Sequence, residues 1–186
     1  MRLAIAAPSG TGKTTLVNYL KEKHKLISAK SCTTRTKREE KDDEYNFISK
    51  KKFLQLEKND YFLETECIFD NYYGTPRHYI QLNNIIFNID VKGVLSLKEK
   101  MNFTSIFIIP PSINILKERL IQRKEENIEK RIARVKEELN YASFFDFIIC
   151  NDNLNDSYNI LDKIISLEQH KEKCNDIINI LLNEKY

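Results

Sequence analysis

The chain has 186 residues and a formal net charge of +3; 41% of its residues are hydrophobic and 31% are charged. This length is enough to bury roughly 70% of the extended-chain surface, and the composition is too apolar for a disordered protein. A membrane-spanning protein is excluded because no apolar stretch approaches the ~20 residues of a spanning helix, and the alternation of charge signs argues against a nucleic-acid-binding surface.

The cysteines favour a reducing compartment. Cys32, Cys67, Cys150 and Cys174 lie far apart and form no C-x-x-C pair, so we expect reduced thiols rather than a zinc site or a disulfide framework. A strand begins by Leu3 without a secretory leader before it, and the expected location is therefore the cytoplasm. Both a monomer and a homodimer remain open.

The first thirty residues predict a β-α-β unit. An apolar run predicts a strand over 3–7, apolar positions at helical spacing predict a helix over 13–22, and a second strand is predicted over 26–30.

Residues 31–82 predict a small inserted α+β lobe. Ser49 is suited to cap a helix that ends near Leu56. Short strands are expected at 61–64, 67–69 and 72–73. The Thr75-Pro76 pair predicts a helix that runs to about residue 82, because Thr caps helices and Pro suits the first helical position.

The remainder alternates strand and helix. Strands are predicted at 85–89, 105–109 and 147–150, and helices at 94–101, after Ser112 and from 154 onward. This alternation predicts a parallel sheet flanked by helices. The densely charged residues 119–138 favour a solvated, mobile segment over a packed helix. We therefore expect one domain over 1–186, with a core at 1–30, 83–118 and 139–186, a lobe at 31–82 and this charged segment at about 119–138, which the family resemblance described below identifies with a lid.

A glycine-rich turn follows the first strand. Residues 7–14 read A-P-S-G-T-G-K-T, and they hold two of the four glycines in the chain. Backbone N–H groups freed by these glycines, together with the positive end of the next helix, are suited to hold phosphates. The strict pattern has glycine where this chain has Ala7, and the loop can still form if φ at Ala7 is not positive.

We therefore predict a nucleoside triphosphate site in which Lys13 adds a positive charge and the Thr14 hydroxyl is a ligand of Mg²⁺. Kinases, GTPases and motor ATPases all use such a loop. A chance turn and a dinucleotide-binding loop are less favoured alternatives. The expected triphosphate-binding residues are Ser9, Gly10, Thr11, Gly12, Lys13, Thr14 and Thr15.

The segment S-C-T-T-R-T-K-R at 31–38 places Arg35 and Arg38 three residues apart, and two guanidinium groups suit a dianionic phosphate. The segment resembles the S-x-T-T-R-x-x-R signature of guanylate kinases, which phosphorylate GMP with ATP. The later order Y-N-F at 45–47, Glu64, N-Y-Y-G-T at 71–75 and Asp90 is also similar to that family. The resemblance extends from about residue 3 to 165.

The resemblance implies a P-loop NTPase-type parallel sheet with a small α+β lobe that binds the nucleoside monophosphate, and a helical lid. It implies ATP and Mg²⁺-dependent, in-line phosphorylation of GMP, and of dGMP, in purine metabolism. By the resemblance, the GMP phosphate would be held by Arg35, Arg38, Tyr45 and Tyr73. Guanine would be held by Ser31, Glu64, Thr75 and Asp90. A carboxylate matches the N1 and N2 donors of guanine and not the N1 acceptor of adenine.

Phosphoryl transfer needs positive charge around the moving group rather than an acid or a base. The implied cationic set is Lys13, Arg35, Arg119, Arg123 and Arg131, with Arg134 next to them in the lid. Asn151 is similar to the position that meets the adenine of ATP.

Several positions differ from the family pattern. Asn88 stands where aspartate is common, and this affects how Mg²⁺ is organised. The lobe loop after Arg38 and the lid are both shorter. Beyond residue 165 an extra segment carries an apolar stripe, for which packing is expected, at Ile177, Ile178, Leu181 and Leu182.

Two other functions remain open: an inactive guanylate-kinase-like module that binds phosphorylated protein partners, and a related kinase of another small phosphate ester. The glycines of the loop, Lys13 and Thr14 favour an enzyme, because a binding module has no use for transfer chemistry. Glu64, Thr75 and Asp90 favour guanine as the base.

Overall fold

The computed structural model describes residues 1–37, 45–125 and 127–183. Its strands, in chain order, are β1 (Arg2–Ala6), β2 (Ile27–Ala29), β3 (Ser31–Thr33), β4 (Tyr45–Phe47), β5 (Phe62–Ile68), β6 (Asn71–Pro76), β7 (Ile85–Asn88), β8 (Thr104–Ile109) and β9 (Phe147–Cys150). Its α-helices are α1 (Lys13–His24), α2 (Lys50–Lys58), α3 (Val91–Lys98), α4 (Ile113–Gln122), α5 (Ile128–Leu139) and α6 (Leu154–Asn183). Short 3₁₀ helices occupy Arg77–Gln81 and Ala142–Phe144.

The main sheet has five parallel strands in the order β2-β7-β1-β8-β9. Its strands are apolar on both faces because helices cover both of them. Along β1, Leu3 and Ile5 pack in the cluster shared with α1 and α6, and Ala4 and Ala6 pack in the cluster shared with α3. The predicted parallel sheet flanked by helices is confirmed.

A second, four-stranded sheet has the order β4-β3-β6-β5, in which only the β3–β4 pair is parallel. Its small core holds Cys32, Phe53 and Phe62, with the two phenylalanine rings stacked at 4.6 Å. The helix α2 begins as predicted, since the Ser49 hydroxyl accepts a hydrogen bond from the Lys52 N–H.

Two expectations for this region are wrong. The strands expected at 61–64 and 67–69 are one continuous strand, β5. The second error is the start of the next helix: a 3₁₀ helix does end at Gln81, near the expected end, but Thr75 and Pro76 belong to β6 and do not begin it. The Thr75 hydroxyl donates instead to the Glu64 carboxylate at 2.5 Å and is therefore not a helix cap.

The charged segment 119–138 also differs from expectation. It contains the end of α4 and nearly all of α5. Val135 is buried beside Leu116 and Leu120 of α4 with Ile128 packed against them, and Ile132 is buried as well. The expectation of a solvated segment instead of a packed helix is therefore wrong. Helix α3 begins at Val91, three residues before the predicted start, because Asp90 caps it through the Gly93 N–H at 2.8 Å.

Helix α6 extends beyond the core. Its first half is packed through Leu161, Ile164 and Ile165, whereas Ile177 and Ile178 are 47% and 51% exposed. The packing expected for the terminal apolar stripe is not formed by these two side chains. Among the described residues, no helix combines the length and the apolar composition needed to cross a membrane.

Candidate active site

A cavity of about 770 Å³ lies between the main sheet, the second sheet and α5. Such a volume is typical of a small-molecule site. The structure brings these sequence-predicted residues to its lining: Ser9, Gly10, Gly12, Lys13, Thr14, Ser31, Arg35, Tyr45, Glu64, Tyr73, Asp90, Arg123 and Arg131. Thr11, Thr15, Thr75, Arg119 and Asn151 lie outside that lining. Arg38 lies outside the described residues.

The glycine-rich turn lies at one end of the cavity, between β1 and α1. Gly10 and Gly12 have φ values of 89° and 94°, a left-handed conformation that favours glycine at both positions. φ at Ala7 is not positive, so the departure from the strict pattern leaves the turn intact, as expected. Because α1 begins at Lys13, its unpaired N–H groups and its positive end face this turn. The turn can hold an anion.

The side chain of Asn151 anchors this turn through a hydrogen bond to its backbone. Its side chain is 5% exposed; its Nδ2 donates to the Thr11 carbonyl at 2.6 Å, and its Oδ1 accepts from the Ser157 hydroxyl at 2.9 Å. Arg119 donates to the Asn151 carbonyl from both terminal nitrogens at 3.2 Å. This anchor was missed in the sequence because its partners are distant along the chain. An adenine contact of Asn151 stays a prediction.

The opposite end of the cavity carries the residues predicted to hold a second phosphate. Arg35, Tyr45 and Tyr73 meet because β4, β3 and β6 are neighbours in the second sheet. The Arg35 guanidinium lies 4.9 Å from the Tyr45 ring centroid and 5.1 Å from that of Phe47, and the rings of Tyr45 and Tyr73 are 5.8 Å apart. Aromatic contacts of this kind hold a guanidinium in place. A cation and two phenolic hydroxyls therefore share one wall.

A buried hydrogen-bonded chain lies deeper on the same side. Ser31 Oγ is 3.0 Å from Thr75 Oγ1, and Thr75 donates to Glu64 Oε1. Glu64 is 6% exposed, and its burial raises the pKa of the carboxyl to about 7, although the Thr75 hydrogen bond acts in the opposite direction. Asp90 also raises this pKa by charge repulsion. A Cβ added at Gly93 would lie 3.1 Å from Glu64 Oε2, so glycine leaves room for the carboxylate.

Asp90 joins this wall to α5. Its Oδ2 accepts from Arg134 Nη2 at 2.9 Å, and Arg134 Nε donates to Glu138 Oε1 at 2.6 Å. Burial raises the pKa of the Glu138 carboxyl, while Arg134 favours its charged form. The sequence identified Arg134 only as a neighbour of the lid arginines, and nothing local to the motif pointed to Glu138.

Lys13 and Asn88 lie where β7 ends. The Lys13 ammonium donates to the Ile89 carbonyl at 3.2 Å. Asn88 is 9% exposed, lines the cavity, and its Oδ1 has no hydrogen-bond partner among the described residues. The described residues contain no cluster of three or more His, Cys, Asp or Glu suited to a metal. The Asn88 amide oxygen and the exposed Thr14 hydroxyl are nevertheless the hard oxygen donors that Mg²⁺ accepts, usually with several waters.

Besides Arg134, two further arginines of the charged segment line the cavity, Arg123 and Arg131. Arg123 follows α4 and is exposed there. Arg131 of α5 donates to the Ser9 hydroxyl at 3.1 Å and forms an ion pair with Glu125 at 2.7 Å. Arg131 therefore places positive charge beside the glycine-rich turn.

Comparison with known proteins identifies the family of this chain. The family model described as guanylate kinase matches residues 1–168. The chain is 40% identical to the guanylate kinase of Protochlamydia amoebophila over 90% of each chain. It is 38% identical to that of Rickettsia bellii over 91% of this chain and 95% of the relative.

Solved structures show the same relationship. The crystal structure of guanylate kinase from Anaplasma phagocytophilum has a TM-score of 0.72 and 26% identity, covering 91% of this chain and 86% of that one. A shikimate kinase from Bacteroides thetaiotaomicron, at 13% identity and a TM-score of 0.53 over 89% of this chain and 98% of that one, shares the fold alone. The match along nearly the whole chain shows that this protein belongs to the guanylate kinase family.

Proposed function

We propose that the cavity transfers the terminal phosphoryl group of ATP to GMP, with the donor at the glycine-rich turn and the acceptor between Arg35 and Glu64. The observation that carries this assignment is that both sets of residues line one cavity. Two phosphorylated ligands bound there would face each other, and binding them in this orientation accounts for much of the catalysis in phosphoryl transfer.

On the donor side, the turn over 9–15 binds the phosphates of ATP through its N–H groups and the N-terminus of α1. Lys13, Arg123 and Arg131 surround the phosphoryl group with positive charge, and Arg119 supports the turn through Asn151. Mg²⁺ would be held by the Thr14 hydroxyl and the Asn88 amide oxygen, and when bound it neutralises phosphate charge.

On the acceptor side, Arg35 and Arg38, with the phenols of Tyr45 and Tyr73, bind the GMP phosphate. Glu64 accepts hydrogen bonds from the base, Ser31 and Thr75 orient its carboxylate, and Asp90 completes the wall. Thr75 already donates to Glu64 Oε1, which leaves a second carboxylate oxygen for guanine. dGMP fits the same contacts, since none of them requires the 2′-hydroxyl.

The two sides belong to different parts of the chain: we assign 31–82 to the lobe that binds GMP, 119–138 to the lid, and the remaining ranges to the core. ATP and GMP are cytoplasmic nucleotides, and the cytoplasm is the proposed location. Closure of the lid over the lobe would exclude water, which otherwise competes with GMP for the phosphoryl group.

A coupled assay with ATP, Mg²⁺ and GMP, dGMP, IMP, AMP or UMP tests this function. We expect GMP to be the best acceptor, dGMP to be accepted, and AMP to be poorer than GMP in kcat/KM by roughly 10⁴-fold, because adenine leaves the carboxylate unpaired. Equal rates on AMP and GMP would contradict the role of Glu64. No turnover with any acceptor would contradict the function itself.

A further inference from the structure

The hairpin between β5 and β6 ends in an unusual two-residue turn. Phe69 and Asp70 have φ values of 47° and 62°, both left-handed. Such turns favour Asn-Gly or Asp-Gly, because a bulky side chain at positive φ is strained. Strain of this kind persists where the surrounding structure requires it, and it often marks a functional position.

The ring of Phe69 faces the cavity instead of a core. It is 44% exposed, lines the cavity, and belongs to none of the hydrophobic clusters of the described residues. Its neighbours are cations: the guanidinium carbons of Arg131 and Arg134 lie 5.3 and 5.9 Å from the ring centroid. Both distances are within the range of a cation–π contact.

These two arginines connect the hairpin to both ends of the site. Arg131 also donates to Ser9 in the glycine-rich turn, and Arg134 also donates to Asp90 on the acceptor wall. The ring of Phe69 is therefore a point at which the acceptor lobe contacts both cavity-lining arginines of α5. A displacement of the hairpin would remove the ring from both guanidinium groups.

We propose that Phe69 is a positioning residue that couples the acceptor lobe to the donor side by holding Arg131 over the glycine-rich turn. The ring orients the guanidinium and shields it from water, which strengthens its interaction with phosphate. The left-handed conformation of the turn orients this ring toward Arg131. The inference rests on the proposed function and adds a residue that contacts neither the base nor the phosphates.

The first test is the Phe69→Leu variant, which keeps apolar bulk and removes the aromatic face. Loss of the cation–π contact to Arg131, whose side chain is only 16% exposed, should lower kcat roughly 5- to 30-fold, with a smaller change in the KM for GMP, because Arg131 acts on the transferred group. Phe69→Tyr keeps the ring and should restore kcat to within about twofold. Phe144→Leu is the matched control, since Phe144 is 57% exposed and away from the cavity lining.

A double-mutant cycle separates positioning from folding. In an Arg131→Ala background, Phe69→Leu should have little further effect on kcat, because the guanidinium through which it acts is absent. An equal loss in both backgrounds would overturn the inference. A fall in Tm with kcat unchanged per folded molecule would overturn it too, and Phe69→Met repeats the measurement if the leucine variant does not fold.

A binding measurement is independent of turnover. We expect GMP to tighten the binding of a non-hydrolysable ATP analogue to the unmodified chain, and Phe69→Leu to abolish this coupling while each nucleotide alone still binds. Retained coupling in the variant would overturn the inference and leave the kinase function intact. Absence of GMP phosphorylation by the unmodified chain would instead contradict the proposed function, and the coupling would still test the role of Phe69.

Discussion

The substitution Glu64→Gln tests the acceptor site most directly, because it removes one charge at nearly constant shape. Guanine presents two donors at N1 and N2, and a glutamine presents one acceptor and one donor to them. A hydrogen bond to a charged group contributes about 1.5–3 kcal/mol, so the KM for GMP at pH 8 should rise roughly 10- to 100-fold. The KM for ATP should change little, since Glu64 is on the acceptor wall.

The pH dependence of the KM for GMP is a second quantitative test of Glu64. Glu64 must be ionised to accept from both guanine donors, and burial raises its pKa to about 7. The KM for GMP should therefore increase about tenfold between pH 8 and pH 6. The phosphate of GMP, with a second pKa of about 6, contributes roughly twofold over the same interval. The Glu64→Gln variant should retain only the twofold part.

The same ionisation acts on stability with a definite sign. The folded-state pKa of Glu64 exceeds the value of 4.5 that the group has without the protein environment. The folded chain therefore binds more protons between those values, so stability falls as pH rises from about 4.5 and levels off above about 7. The raised pKa of Glu64 lowers the free energy of unfolding by about 3 kcal/mol at pH 8 and by about 1 kcal/mol at pH 5. Glu64→Gln should gain stability relative to the parent chain on going from pH 5 to pH 8.

Steady-state kinetics from pH 6 to 8 and urea unfolding at pH 5 and 8 measure both effects. A glutamine variant with the parent chain's pH dependence of the KM for GMP would refute the assignment of the titrating group. Equal weakening of ATP and GMP would show that Glu64 supports the fold in general rather than the base.

Three further substitutions address the rest of the site. Lys13→Ala should lower kcat by about 10³-fold or more and leave GMP affinity by calorimetry nearly unchanged, because Lys13 faces the donor; loss of GMP binding with turnover retained would contradict this. Gly93→Ala places a Cβ 3.1 Å from Glu64 Oε2, so the KM for GMP should rise more than the KM for ATP, whereas equal rises would indicate a general defect. Asn151→Ala leaves the Thr11 carbonyl without its side-chain donor; the unfolding free energy should fall by about 1–3 kcal/mol and Tm by roughly 2–12 °C, and an unchanged Tm would remove the anchoring role.

The main sheet was predictable because its strands are buried on both faces. Runs such as 85–87 are apolar at every position, and this pattern is readable without knowing the partner strands. The second sheet was harder for the opposite reason. In β5 the buried face carries Glu64, so the apolar alternation that marks a half-buried strand is interrupted at a residue of the site.

Predictions from local sequence also failed where a polar side chain forms its hydrogen bond with a residue distant in the chain. Thr75 followed by Pro76 is a reasonable helix start, but the hydroxyl that would cap the helix donates to Glu64. Asn151 was similarly identified by its place after a strand, and its contact with Thr11 spans 140 residues. The sequence shows which groups are present in such cases; the fold decides which group each of them meets.

The sequence of helix α5 contains an apolar helical face, which its many charged residues obscured. Ile128, Ile132 and Val135 follow the four- and three-residue spacing of one helical face; Val135 and Ile128 pack against α4, and Ile132 is buried as well. Arg131 and Arg134 lie one position before Ile132 and Val135, on the adjacent face of the same helix. Packing of the apolar face against α4 therefore directs the arginines into the cavity, and a helix that looks solvated by composition owes the orientation of its charges to a few buried aliphatic side chains.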